Sequence, residues 1–210
     1  MSVPDTNTFN LQNVVDEVNP TTDDLVDCFS DAVAIKFDPA YEGSKNGLLN
    51  FRNYGYRDWF LPSYDLLKEM YTNLKAEGVG DFSDNKYWSS SESSSQYAYV
   101  VDFSDGSFWQ GQKGNDSHTT RACRSFTAGI GDYDIGDTGP AGGLICYIDS
   151  TTYYEAAPSD QNTGQAWSNI IDVEVGTDTA IGTGQANTTA IIDQDDHTTS
   201  AAKLCDDLVV

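Results

Sequence analysis

Between residues 58 and 126 the apolar and polar positions of the chain alternate most sharply. Leu66, Leu67, Met70, Tyr71 and Leu74 recur at helical spacing, with Pro62 and Ser63 before them and Gly78 after, so the pattern predicts a helix with a glycine stop. Tyr97, Tyr99, Val101 and Phe103 then alternate with Ala98, Val100 and Asp102. Asp105-Gly106 is a hairpin signal leading into Phe108-Trp109, and Arg121 to Phe126 reads as one more strand. This half is a helix followed by a meander.

Beyond it, Pro140 and the glycines of IGDTGPAGG mark a loop before a strand over Leu144 to Ile148. Tyr153 to Ala157 is a shorter extended piece, and Trp167 a core anchor. Residues 172–197 lack apolar periodicity and are rich in Gly, Thr, Asn and Asp, which predicts loops or short strands near the surface. Ala201, Leu204, Cys205 and Leu208 share one face of a terminal helix. At the other end, Leu11, Val14, Val15 and Val18 form one short helical stripe, Asn19-Pro20 breaks it, and Leu25, Val26, Phe29 and Val33 form a second. Two such helices cannot bury both faces alone, so residues 1–50 need a partner surface: the main domain, another copy, or a larger assembly.

At 210 residues the chain holds one main core and an appendage. Eleven Lys and Arg against 33 Asp and Glu give a net charge of −22, which disfavours nucleic acid and anionic membranes as partners. A 39% hydrophobic and 12% aromatic content is enough to offset chain entropy despite that charge. With no run of about 18 apolar residues, and no signal-peptide blocks in MSVPDTNTFN, the expectation is a soluble chain without membrane insertion. If it acts outside a cell, it leaves by lysis or within a particle. Cys28, Cys123, Cys146 and Cys205 are too widely spaced for a zinc ribbon and read as isolated buried thiols.

Residues able to do chemistry are sparse. His118 and His197 sit in no mechanistic frame and are placed in exposed loops. Asp193, Asp195, Asp196 and His197 form one oxygen-rich group and Asp132, Asp134 and Asp137 another; neither has EF-hand spacing, so solvated acidic loops without metal are the main reading and a calcium site in either is the alternative. The candidate ligand-binding set is Glu92, Gln96, Trp109, Gln110, Gln112, Lys113, Asn115, Asp116 and His118. Aromatic rings stack on sugar or protein faces while amides and carboxylates give directional hydrogen bonds, a mixture suited to glycan or protein recognition without a cofactor. An ordinary polar loop, with Trp109 buried in the core, is the alternative.

The succession DWFLPSYDLLKEMY, NKYWSSSESS, YAYVVDFSDGSFWQGQK and RACRSF resembles the Legionella collagen-like protein C-terminal domain family, a relative of the C-type lectin and formylglycine-generating enzyme folds. In that family a strand like GGLICYI and a helix like SAAKLCDDLV come before a segment like GYRDWFLP. Here the later half, residues 51–126, comes first and the earlier half, 131–210, second. The resemblance therefore implies an α+β fold: a circularly permuted C-type-lectin-like domain over residues 51–210, behind a helical arm over residues 1–50. The segment Thr127 to Gly139 would link first and last strands lying side by side, within one chain or by exchange with a neighbouring copy. Joining Val210 to Asn53 would restore the family order and offer Gly55 as the terminal helix cap.

The same resemblance implies a disulfide between Cys123 and Cys205, with Cys146 a core thiol, and a framework of Trp59, Leu61, Pro62, Trp88 and Arg121. The cysteine pair of the oxidase relatives is not matched, since only Cys123 lies nearby, and the Glu-Pro-Asn and Trp-Asn-Asp motifs of calcium-dependent lectins do not occur. No enzymatic activity is expected. VVDEVNPTTDDLVDCFSDA, with FDPAYEGSKNGLLNFRNYG after it, resembles the N-terminal segment of structural proteins from Bacteroidetes phages. That implies a virion protein docking to other virion proteins, or oligomerising, through residues 1–50. The expectation is a non-enzymatic, homo-oligomeric phage structural protein that binds a host or mucosal glycan or protein; the alternative is a decoration or connector subunit contacting only other virion proteins.

Overall fold

Ser63 stands at the head of the first well-defined helix in the computed structural model, which describes residues 55–115 and 117–210 together with Val14, Val15, Val18, Pro20, Cys28, Phe29, Ala32 and Lys36. Its hydroxyl accepts from the Leu66 amide and opens α1 (Tyr64–Met70), which continues as a π-helical turn over Tyr71–Lys75. Leu66, Leu67, Met70 and Leu74 all point into the core. There they meet Phe60, Phe82, Tyr87, Val101, Phe103, Cys123, Cys146 and Tyr154. The Asn73 side chain donates to the Cys146 carbonyl at 2.9 Å, tying the π turn to the second half of the chain.

Eight strands follow: β1 (Lys86–Glu92), β2 (Tyr97–Asp102), β3 (Phe108–Gln112), β4 (His118–Thr120), β5 (Cys123–Thr127), β6 (Leu144–Asp149), β7 (Thr152–Ala156) and β8 (Asn162–Gln165). With α2 (Gly184–Ile192) and α3 (Ala201–Asp206) they make an α+β fold with two sheets, ordered β3-β2-β1-β4-β8 and β5-β7-β6. The predicted β2–β3 hairpin is present: Gly106 has a φ of 78°, and its amide donates to the Asp102 carbonyl at 2.7 Å. No helix among the described residues is long and apolar enough to cross a membrane.

Trp59–Leu208 forms one compact unit. Both sheets mix strands from the two halves of the chain, since β4 pairs with β8 and β5 with β7. Strand adjacency differs from the expectation in one respect. Leu144–Asp149 does not lie beside Cys123–Thr127; β7 sits between them, because the tight β6–β7 turn returns the chain at once and leaves β7 to pair with β5.

Residues 1–58 with Val209 and Val210 form the other unit. Within it, Tyr56 and Val210 exchange two backbone hydrogen bonds, at 2.7 and 3.2 Å, and the Lys36 ammonium lies 4.3 Å from the Tyr56 ring. Val14, Val15, Val18, Cys28 and Phe29 are helical. Leu11, Leu25, Val26, Val33 and Asn53, to which other expectations attached, lie outside the described residues.

The helix α2 corrects the reading of residues 172–197 as loops or short strands. Its buried positions are Gly184, Asn187, Thr188 and Ile191, so three of its four inward residues are small or polar and no apolar stripe announces it. Hydrogen bonds seat it instead. The Leu61 amide donates to Thr188 Oγ1 at 3.0 Å, and Asn187 Nδ2 donates to Ser90 Oγ at 3.0 Å and to the Asp178 carbonyl at 2.7 Å. Gly184 is required because a Cβ there would lie 2.7 Å from the Phe60 ring and 3.0 Å from the Leu61 carbonyl. Asn187→Ala removes these donors in a buried setting and should lower stability by about 2 kcal/mol in urea denaturation. A loss under about 0.5 kcal/mol, the usual effect of surface substitutions, would show that apolar contacts alone hold the helix.

Candidate functional site

Where β1 ends and β3 ends, two oppositely charged side chains meet out of water. Lys113 Nζ lies 2.6 Å from Glu92 Oε2, with the side chains 0% and 6% exposed. The same ammonium donates to the Val173 carbonyl at 2.9 Å and sits 4.6 Å from the Trp167 ring. Glu92 Oε1 accepts from the amides of Val175 and Gly176 at 2.7 and 2.6 Å. The irregular segment 171–178 has few apolar anchors of its own, so this pair fixes where it runs. Further bonds join the same pieces: the Lys113 amide donates to the Gln96 carbonyl, and the Trp167 amide to the Lys113 carbonyl, both at 2.9 Å.

Above the pair lies a cleft of about 410 Å³ lined by Gln96, Gln112, Lys113, Gly114, Asn115, Ile171 and Asp172. Gln96 Nε2 donates to Asp172 Oδ1 at 3.0 Å, and Gln112 Nε2 to Tyr97 Oη at 3.4 Å. The Asn115 side-chain Oδ1 accepts from the Ser117 amide at 2.9 Å and fixes the turn. Three amides, a carboxylate and the exposed side chain of Ile171 face the opening. Such a lining offers donors, acceptors and one apolar contact, which suits a polar neutral ligand.

Of the predicted site residues, Gln96, Gln112, Lys113 and Asn115 therefore share one cleft. Glu92 and Lys113 correct the expectation in role: they are buried against each other and hold the cleft in place rather than presenting free charge. Trp109 and Gln110 are exposed on β3 outside this cleft, so Trp109 is not the buried core residue of the alternative reading. Asp116 lies outside the described residues. Ile171 and Asp172 were missed, because nothing in their local sequence marks a cleft wall that is placed by contacts with Glu92 and Lys113.

His118 is corrected from an exposed loop to a mostly buried position on β4, its ring 4.5 Å from that of Trp88. Gly111 makes the room: a Cβ there would lie 2.5 Å from Trp88 and 2.9 Å from His118 Nε2. Burial pushes the His118 pKa below its ordinary 6.5, with Lys86 acting in the same direction. His197 is half-buried and likewise shifted down. Among the described residues no three metal-binding side chains converge, and Asp132 and Asp137 accept backbone amides of their own turns.

The disulfide expected between Cys123 and Cys205 is also corrected, since all four cysteines are buried free thiols. Cys123 Sγ faces the Phe60 carbonyl at 3.6 Å and Cys146 Sγ the Tyr154 carbonyl at 3.2 Å, so each has a local acceptor. Burial pushes the Cys123, Cys146 and Cys205 thiols up, which keeps them protonated and unreactive.

Two outcomes are expected from this geometry. Lys113→Met leaves Glu92 buried beside an apolar chain and should destabilise the fold by about 3–5 kcal/mol, whereas Gln112→Ala should leave the melting temperature unchanged; equal effects would mean the pair is not the anchor. Titration with a chromogenic disulfide reagent at pH 8 should find the four thiols only after denaturation, and rapid reaction of the native protein would contradict their burial. Comparison of the chain with family models, curated proteins and solved structures gives no match.

Proposed function

We propose that the Trp59–Leu208 unit is a non-enzymatic recognition module that binds a host-surface or mucosal glycan or protein in the cleft between Gln96, Gln112, Asn115 and Asp172. The observation that carries this reading is the convergence of separate polar segments on one opening above a buried ion pair. An anchored floor lets the exposed amides act as fixed donors and acceptors, which limits the entropy lost on binding. Recognition without charge also suits a chain of −22, because a neutral ligand meets no repulsion.

We further propose a C-type-lectin-like fold in circularly permuted order. Strand pairing between the two halves supports it, as does the position of Val210 beside Tyr56, three residues before Trp59. The phage-like N-terminal segment supports placement on a virion, with residues 1–50 docking the module to other virion proteins. Several modules on one particle then turn weak single contacts into firm attachment.

The test is attachment. The double variant Gln112→Ala, Asn115→Ala should lose at least about tenfold in affinity, ~1.4 kcal/mol, for immobilised mucin glycans or host cells. Its melting temperature should fall by no more than a few degrees, since the hydrogen bonds lost, from the Ser117 amide to Asn115 and from Gln112 to Tyr97, are both exposed. Attachment unchanged by the double substitution would remove the cleft from recognition and favour an architectural subunit that touches only virion proteins.

A further inference from the structure

Trp109 is a second feature that the cleft does not absorb. It is 54% exposed, while Trp59, Trp88 and Trp167 are fully buried. A bare indole is expensive to leave in water, and its orientation here is set: Nε1 donates to Ser107 Oγ at 3.0 Å, and the Lys86 ammonium lies 5.0 Å from the ring. Lys86 in turn helps to line a recess of about 300 Å³ with Asn85, Asp102, Ser104 and His118. Asp102 is held in place by Ser104, whose hydroxyl donates to Oδ1 at 2.6 Å, and lies 3.5 Å from Lys86 Nζ through Oδ2.

This recess is separate from the cleft. Trp109 pairs with Val100 and Gln112 with Tyr97, so the two positions lie three residues, roughly 10 Å, apart along β3. Its lining also selects a class of ligand. An apolar molecule would strand the carboxylate, amide and hydroxyl groups without hydrogen bonds. An anionic one would face Asp84, Asp102 and the excess negative charge of the whole chain. A cationic one would compete with Lys86, which already occupies the ring face.

We infer that Trp109 and the recess beside it form a second subsite for a neutral saccharide, one ring face stacking on the indole and the hydroxyls reaching Lys86, Asp102 and Asn85. Lys86 stays between the indole and Asp102 and donates to the sugar hydroxyls from there, while the sugar stacks on the part of the indole that it leaves exposed. The subsite goes beyond the cleft reading and does not depend on it.

Acrylamide quenching of tryptophan fluorescence tests this directly, because Trp109 is the exposed tryptophan and the quencher is uncharged. The full chain is titrated with lactose and with the N-acetylglucosamine trimer, and with sialyllactose and choline for comparison. At least one neutral probe should reduce the quenching constant about twofold in a saturable way, and Trp109→Ala should abolish the heat of binding of that probe by calorimetry. The shielding should persist in the Gln112→Ala, Asn115→Ala variant, which separates this result from the fate of the cleft. Shielding by neither neutral probe, shielding only by choline or only by sialyllactose, binding that survives Trp109→Ala, or shielding lost in the cleft variant would each overturn the inference.

Discussion

The ion pair between Lys113 and Glu92 is the constraint on which the cleft depends. Neither side chain could be buried alone, and each completes its hydrogen bonding with backbone from segment 171–178. That segment has no regular secondary structure to hold it. Its course is therefore decided by where a carboxylate at the end of β1 and an ammonium just past β3 need partners. The exposed amides of the cleft inherit their positions from this arrangement.

The same device recurs where the two halves of the chain join. Arg121 lies 1% exposed, donating to Asp160 Oδ1 at 2.6 Å and to the carbonyls of Gly80 and Ala157, with its guanidinium 4.1 Å from the Phe82 ring. Arg124 pairs with Glu155, whose other contacts are the amides of Ala141 and Gly143. Desolvation raises the Glu155 pKa, opposed by Arg124 and these amides. Each cluster ties first-half residues to second-half residues by directional bonds, which specifies one arrangement where apolar contacts would accept several. Three of the eleven basic residues are withdrawn this way, each with an acidic partner, so the pairs leave the net negative charge of the outer surface unchanged.

What the sequence made legible follows from the same distinction. The helix α1 and the β2–β3 hairpin were readable because apolar periodicity and turn residues such as Ser63 and Gly106 act locally. The helix α2 was not, because Asn187 and Thr188 are buried by bonds to Ser90, Asp178 and Leu61, residues distant in sequence or hidden in loops. His118 looked like a loop residue for a similar reason, since its burial depends on the space left at Gly111 on another strand. Gln96, Gln112 and Asn115 were legible as polar display positions. That Glu92 and Lys113 neutralise each other could be seen only once the strands carrying them were side by side.

The pleat of β3 carries one last implication. Phe108, Trp109, Gln110 and Gln112 are open to solvent, while Gly111 alone is pinned beneath Trp88 and His118. Four of five positions can change identity with little effect on folding, provided the fifth stays without a side chain. Such a strand is a variable surface on a fixed foundation: substitution at its outward residues alters what it presents to solvent, and the interior does not register the change.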